Sequence, residues 1–184
     1  MSELFPQLEV DKYVHLKEFS SLENCDELTK ELHRLAEENL TRSDEQCPLS
    51  ESIYGSKKFD ALLNGLLPYF EAATGKQLYP TYSYARLYKP GEVLEVHTDR
   101  ESCEISATIT LGFDGDVWPI YMGDGMDKSN PSSISMNVGD AVLYYGGIKH
   151  HWREKYVEGK WQTQVFLHYV DALGGHAGVH GSLD

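Results

Sequence analysis

The sequence predicts a mainly β protein of the α+β class, in which N-terminal helices support a jelly-roll core. Three observations predict it. Two helical stretches with apolar faces fall within residues 1–78. From Tyr79 the apolar pattern switches to a period of two. Eight short strand-like runs, separated by turn signals, then follow up to residue 171, and a jelly roll is the natural eight-strand form.

Residues 20–40 read as the first helix. Ser20 or Ser21 can cap it, and Leu28, Leu32 and Leu35 recur on one face. Asn39 interrupts that face, and Glu37 and Glu38 oppose the helix dipole at its end, which predicts fraying. Residues 41–56 are polar and read as a loop. Residues 57–74 form the second helix, with Phe59, Leu62, Leu63, Leu66 and Phe70 toward the core. Pro68 is expected to kink it or start a new turn, and Gly75 to cap its C-terminus.

In the β half, Tyr82, Tyr84, Arg86 and Tyr88 alternate with Thr81, Ser83, Ala85 and Leu87, and Lys89-Pro90-Gly91 signals a turn. Strands are expected at 81–88, 93–97, 105–111, 117–122, 133–136, 141–145, 149–153 and 163–170. The whole chain, 1–184, reads as a single domain. Within it, 1–78 is the helical support, 79–171 the core and 172–184 a flexible glycine-rich tail.

Composition narrows the function. Hydrophobic residues make up 41% and charged residues 24%, as in an ordinary globular chain. Sixteen Lys and Arg face 29 Asp and Glu, a net charge of −13 that repels phosphate backbones. Nucleic acid is therefore a poor partner, and a small molecule, peptide or protein is the expected substrate. No apolar run reaches the length of a membrane span, and the N-terminal MSELFPQLEVDKY lacks the pattern of a secretory signal. Cys25, Cys47 and Cys103 form no CxxC pair, which speaks against a disulfide framework or zinc ribbon and points to a reducing, cytoplasmic setting. Oligomeric state stays open.

The chemistry-bearing residues are His97-Thr98-Asp99 and the pair His150-His151. On a strand, residues two apart share a face, so an imidazole and a carboxylate can reach one ion. Two His and one carboxylate leave three positions of Fe(II) open. An HxD alone is a weak signal at this composition. Context strengthens it: His97 ends an apolar strand, and His150-His151 follows the strand that runs from Gly139-Asp140 to Tyr145.

Five stretches together carry a resemblance. They are Tyr82 to Gly91 (YSYARLYKPG), His97-Thr98-Asp99-Arg100, Gly139 to Tyr145 (GDAVLYY), His151-Trp152-Arg153, and Gln164 to Asp171 (QVFLHYVD). Their ordered combination resembles the 2-oxoglutarate/Fe(II)-dependent dioxygenase superfamily, in the style of its prolyl-4-hydroxylase-like branch. The resemblance spans roughly residues 79 to 171. It implies a double-stranded β-helix core that holds Fe(II) on His97, Asp99 and His151. It implies consumption of 2-oxoglutarate and O2, with ascorbate as a candidate reductant, and release of succinate and CO2 as a second substrate is hydroxylated. A prolyl residue is the leading substrate by resemblance, and a free amino acid or small metabolite comes next. His151 is preferred to His150 because it stands in the family's position for the distal His, and only one of two adjacent strand residues faces inward.

The resemblance also asks for a cation to hold the far carboxylate of 2-oxoglutarate. Lys160 matches the family's spacing and is the first choice. Arg153, two residues beyond His151, is the second, and Arg86, on the face of Tyr88, the third. Tyr88 stands where the family places a tyrosine that bonds the co-substrate. Arg100 reads as a solvated loop charge, Trp118 and Tyr121 as core aromatics before mouth residues, and His168 as a core histidine. His176 and His180 suggest incidental metal affinity. Two alternatives remain: a cupin-like barrel that binds another metal without redox chemistry, and, disfavoured by charge, a nucleic-acid demethylase.

Overall fold

A computed structural model describes residues 5–179. Three helices run over Pro6–Asp11 (α1), Leu22–Glu37 (α2) and Lys57–Thr74 (α3). Ten strands run over Tyr13–Leu16 (β1), Glu51–Tyr54 (β2), Leu78–Tyr88 (β3), Leu94–His97 (β4), Ile105–Asp114 (β5), Ile120–Gly123 (β6), Ser132–Ile134 (β7), Ala141–Tyr144 (β8), His150–Arg153 (β9) and Trp161–Asp171 (β10). They form a six-stranded sheet in the order β1-β8-β5-β10-β3-β2 and a four-stranded sheet in the order β4-β9-β6-β7. Every pairing is antiparallel. The fold is thus β-rich with a few helices, as expected. No helix among the described residues is long and apolar enough to cross a membrane.

Both capping signals hold. The Ser21 hydroxyl accepts from Asn24 N at 3.2 Å and caps α2. The helix stops before Asn39, which takes a left-handed φ of 58°. Gly75 caps α3 with φ 68°, a conformation that glycine adopts without Cβ strain. Pro68 lies inside α3, which continues through it as one helix.

The large sheet has two unlike faces because its strands alternate. Ala85, Leu87, Ala107, Ile109, Leu111, Leu143, Val165 and Leu167 point to the helices and join Leu28, Leu32, Leu35, Phe59, Leu63 and Phe70 in the main core. Each large side chain so buried contributes about 1.5–3 kcal/mol. The other face carries Tyr82, Tyr84, Arg86, Tyr88, Thr108, Thr110, Gln164 and His168, all buried despite their polar atoms.

Four local expectations change. Helix α1 and strand β1 were not anticipated, and the loop expected at 41–56 contains β2. Both strands have four residues and one or two buried positions, too little for a period to emerge. They exist because β8 and β3 offer edges, as the pairs Val14↔Leu143 and Ile53↔Ala85 record. The strand expected at 117–122 begins only at Ile120, after Pro119, which has no N–H for a ladder bond. In the tail, Ala177–Val179 makes a 3-10 turn and His176 Nδ1 lies 3.8 Å from Glu101 Oε2, while His180 falls outside the described residues.

Candidate metal centre

His97 and His151 are direct partners across the β4–β9 ladder, with ring centroids 4.3 Å apart. Each ring is oriented by a backbone carbonyl: Nδ1 of His97 donates to Glu95 O at 2.8 Å, and Nδ1 of His151 to Lys149 O at 3.0 Å. A carbonyl only accepts, so each ring carries a proton on Nδ1 and turns Nε2 toward the site. Both Nε2 atoms face Oδ1 of Asp99, at 3.7 Å from His97 and 3.4 Å from His151. One ligand atom from each of the three residues fits within 4.8 Å.

Asp99 itself lies past the end of β4, so strand alternation does not aim it. The connection between β8 and β9 does. Asp99 N donates to Gly146 O at 2.8 Å, and Gly146 N donates to Glu104 O at 3.0 Å. A Cβ on Gly146 would stand 2.1 Å from Cys103 O and 2.6 Å from Asp99 Oδ2, so only glycine lets this segment pass so close.

Electrostatics favour an ionised carboxylate between imidazoles. Burial opposes the charge of Asp99, but His151, His168 and His97 outweigh it and hold its carboxyl well below the usual range. For His151, burial again opposes the charge and Asp99 outweighs it, so its pKa is raised. His97 is lowered, by burial and by the nearby His151. One carboxylate cannot fully serve two imidazolium ions, and the more exposed ring stays neutral.

The three residues line a cavity of about 500 Å³, together with Tyr54, Tyr82, Tyr84, Arg86, Tyr88 and Arg100 among others. Tyr88 is fully buried, and its hydroxyl accepts from Arg86 Nη1 at 3.3 Å. Arg100 is drawn to the cavity rather than left in a solvated loop: Nε donates to Tyr82 OH at 3.1 Å and the guanidinium lies 4.9 Å from that ring's centre. Trp118 and Tyr121 do not line it. Trp118 is core, with Nε1 donating to Glu154 O at 2.8 Å, and Tyr121 stacks on Trp152. His150, next to His151 on β9, is not among the residues that line the cavity. His168 is buried as expected, with Nδ1 2.8 Å from Ser106 Oγ, yet it also borders the cavity.

The three cations differ sharply. Lys160 lies apart from the cavity: its side chain is 81% exposed and pairs with Asp114 at 3.3 Å. The reason is the turn before it. Gly159 has φ 113°, Lys160 N bonds Asp114 O at 3.0 Å, and this locks the start of β10 onto the end of β5 at the surface. Arg86 lines the cavity, but Asp44 already holds its guanidinium at 2.6 Å. Arg153 is 1% exposed. It donates to Trp118 O through Nη1, stacks against the rings of Trp118 and Tyr88, and leaves Nη2 without a protein partner. Among the described residues no carboxylate pairs with it. Burial lowers its pKa to about 10, still charged at neutral pH. Arg153 is not itself a lining residue; the Tyr88 ring it stacks on is.

Asp44 and Gln46 are additions that no sequence signal marks. They sit in the polar stretch before β2, which shows no periodicity. Gln46 joins two site residues, accepting from Arg86 Nη2 at 3.0 Å while its amide lies 3.2 Å from His97 Nε2. That last contact has to open for Nε2 to take a metal.

The fold has well-defined counterparts among solved structures. A Pseudomonas putida prolyl-4-hydroxylase superposes with a TM-score of 0.71 at 15% identity, over 90% of this chain and 95% of that one. The non-heme alpha-ketoglutarate-dependent epimerase of nogalamycin biosynthesis gives 0.75 at 15% identity, over 90% and 80%. HygX from Streptomyces hygroscopicus, solved with nickel and 2-oxoglutarate, gives 0.70 at 16% identity, over 90% and 85%. No family model and no curated protein matches the sequence. The chain therefore has the fold of 2-oxoglutarate/Fe(II) oxygenases, prolyl-4-hydroxylases included.

Proposed function

We propose that this protein is a non-haem Fe(II), 2-oxoglutarate-dependent oxygenase that hydroxylates a second substrate. The observation that carries the reading is the presentation of His97 Nε2, His151 Nε2 and an ionised Asp99 to one point on this fold. The strand orders β8-β5-β10-β3 and β4-β9-β6-β7 support a double-stranded β-helix (jelly roll), formed by residues 79–171 of one domain and buttressed by 1–78. The three free, buried cysteines agree with a cytoplasmic setting.

The residues fit the groups this chemistry needs. His97, Asp99 and His151 would hold Fe(II), with both imidazoles locked in the ligating tautomer by Glu95 and Lys149 carbonyls. Bound there, the iron supplies oxidative decarboxylation of 2-oxoglutarate and insertion of an oxygen atom into a C–H bond of the substrate. Arg153 is the partner we assign to the far carboxylate of 2-oxoglutarate. It is the buried cation with an unused donor, whereas Arg86 is neutralised by Asp44 and Lys160 is in solvent. The unpartnered buried side-chain atoms of Thr110 and Gln164 offer further polar contacts on the inner face. Tyr88, between the cavity and Arg153, would orient the co-substrate through its hydroxyl.

A prolyl residue in a peptide or protein is the substrate we favour, with a free amino acid or small metabolite second. One of the structural counterparts is a prolyl hydroxylase in complex with a peptide fragment, from Trichoplax adhaerens. The test is turnover: Fe(II)-loaded protein, 2-oxoglutarate and O2 should yield succinate, with ascorbate sustaining the rate, and a panel of prolyl peptides should raise it. Neither 2-oxoglutarate binding nor succinate formation would leave a cupin-like, non-redox metal protein instead.

A further inference from the structure

We propose a second metal site beside the first, formed by Asp99, Cys103 and His168 and suited to a thiophilic divalent cation such as Zn(II) or Co(II). One ligand atom from each of these residues lies within 4.8 Å of the other two. The donor set is different in kind. A thiolate, an imidazole and a carboxylate select Zn(II)-like ions, whereas the first group lacks sulfur. Tetrahedral Zn(II), with bonds of about 2.0–2.3 Å, needs donors roughly 3.3–3.8 Å apart, so the site closes with about an ångström of adjustment.

The two oxygens of Asp99 have different neighbours. Oδ1 faces the imidazoles of His97 and His151, while Oδ2 lies 3.2 Å from Ser106 Oγ, whose hydroxyl also meets His168 Nδ1 at 2.8 Å. Cys103 ends the 3-10 turn Glu101–Cys103 and borders the same cavity, so an ion has a path to it. Asp99 belongs to both groups and would serve both ions. The second site shares Asp99 with the first, and its occupancy is read by metal uptake and the thiolate band rather than by turnover. On binding, the Cys103 thiol gives up its proton to solvent and the sulfur takes the cation.

The test is anaerobic Co(II) titration of the full chain. The expected result is a near-ultraviolet thiolate-to-Co(II) charge-transfer band and uptake of two equivalents of metal. Cys103→Ser and, independently, His168→Gln should each lower uptake to one equivalent, and Cys103→Ser should abolish the band. Cys47→Ser and His97→Ala should keep it. Absence of the band in the unsubstituted protein, or its persistence in Cys103→Ser, overturns the proposal. Succinate formation in the same preparations reports the oxygenase reading separately, so either can fail alone.

Discussion

The two faces of the six-stranded sheet are made by the same strands and obey opposite rules. On the helix side, Ile109, Leu143, Val165 and Leu167 meet α2 and α3 in a dry apolar layer. On the cavity side, the alternate residues Thr108, Thr110, Gln164 and Arg153 of the facing strand β9 are just as buried, and each has a polar atom with no protein partner. Burying polar atoms without partners costs free energy, about 1–3 kcal/mol each in proteins. The helix face therefore stabilises the fold, while the inner face carries a cost and holds polar atoms that no protein group uses. Within the inner face, Arg86 and Arg153 repeat the contrast. Arg86 is satisfied by Asp44, Tyr84 and Gln46, so it braces the wall, while Arg153 keeps a free donor.

Substitutions should separate the faces. His97→Ala or Asp99→Ala is expected to lower Fe(II) affinity by more than the roughly 10–100-fold typical of outer-sphere changes, with the fold intact. Calorimetric Fe(II) titration with circular dichroism measures both, and His150→Ala should leave affinity unchanged. Equal losses in His150→Ala and His151→Ala would break the assignment of the inward face. On the other face, Leu167→Ala should cost about 2–5 kcal/mol of stability while folded protein keeps its metal affinity. Thermal and denaturant melts check it.

Arg153→Gln is expected to weaken 2-oxoglutarate binding by about 10–100-fold, the worth of charge-assisted hydrogen bonds at roughly 1.5–3 kcal/mol. Arg86→Gln should weaken it less and cost stability instead, because it strands Asp44. If Arg86→Gln has the larger effect on binding, the two arginines exchange roles.

Metal binding should also depend on pH. The His151 pKa is raised above its ordinary 6.5, so its pairing with Asp99 stabilises the metal-free protein below that value and is lost as pH climbs through the raised one. A metal must displace that proton, so affinity rises with pH over the same window. The metal-induced increase in Tm should be larger at about pH 8 than at about pH 6. A constant increase would mean that His151 is already neutral. The smallest effect is expected from Lys160→Ala: no change in 2-oxoglutarate affinity and less than about 0.5 kcal/mol in stability.

Much of this was legible in the residues. Period two along β3, β5 and β10 and period 3.6 along α2 and α3 locate the apolar faces, because each such segment meets one uniform surface. The edge strands β1 and β2 were not legible, since four residues carry no period and their pairing depends on distant β8 and β3. Asp44 and Gln46 were equally hidden: a polar loop residue gains meaning only when a side chain from another element stands opposite.

Local patterning along the chain located the apolar faces of helices and strands, and the order of motifs, by resemblance, supplied the candidate set His97, Asp99 and His151. Tertiary structure decided the rest. It brought Asp99 to the imidazoles through Gly146 rather than through strand alternation, and it gave the three candidate cations different neighbours. Spacing favours Lys160, but spacing counts residues, whereas a carboxylate responds to charge, burial and unpaired donors. Those are set by what the fold packs around each cation: solvent and Asp114 around Lys160, Asp44 around Arg86, and aromatic rings with no counter-ion around Arg153.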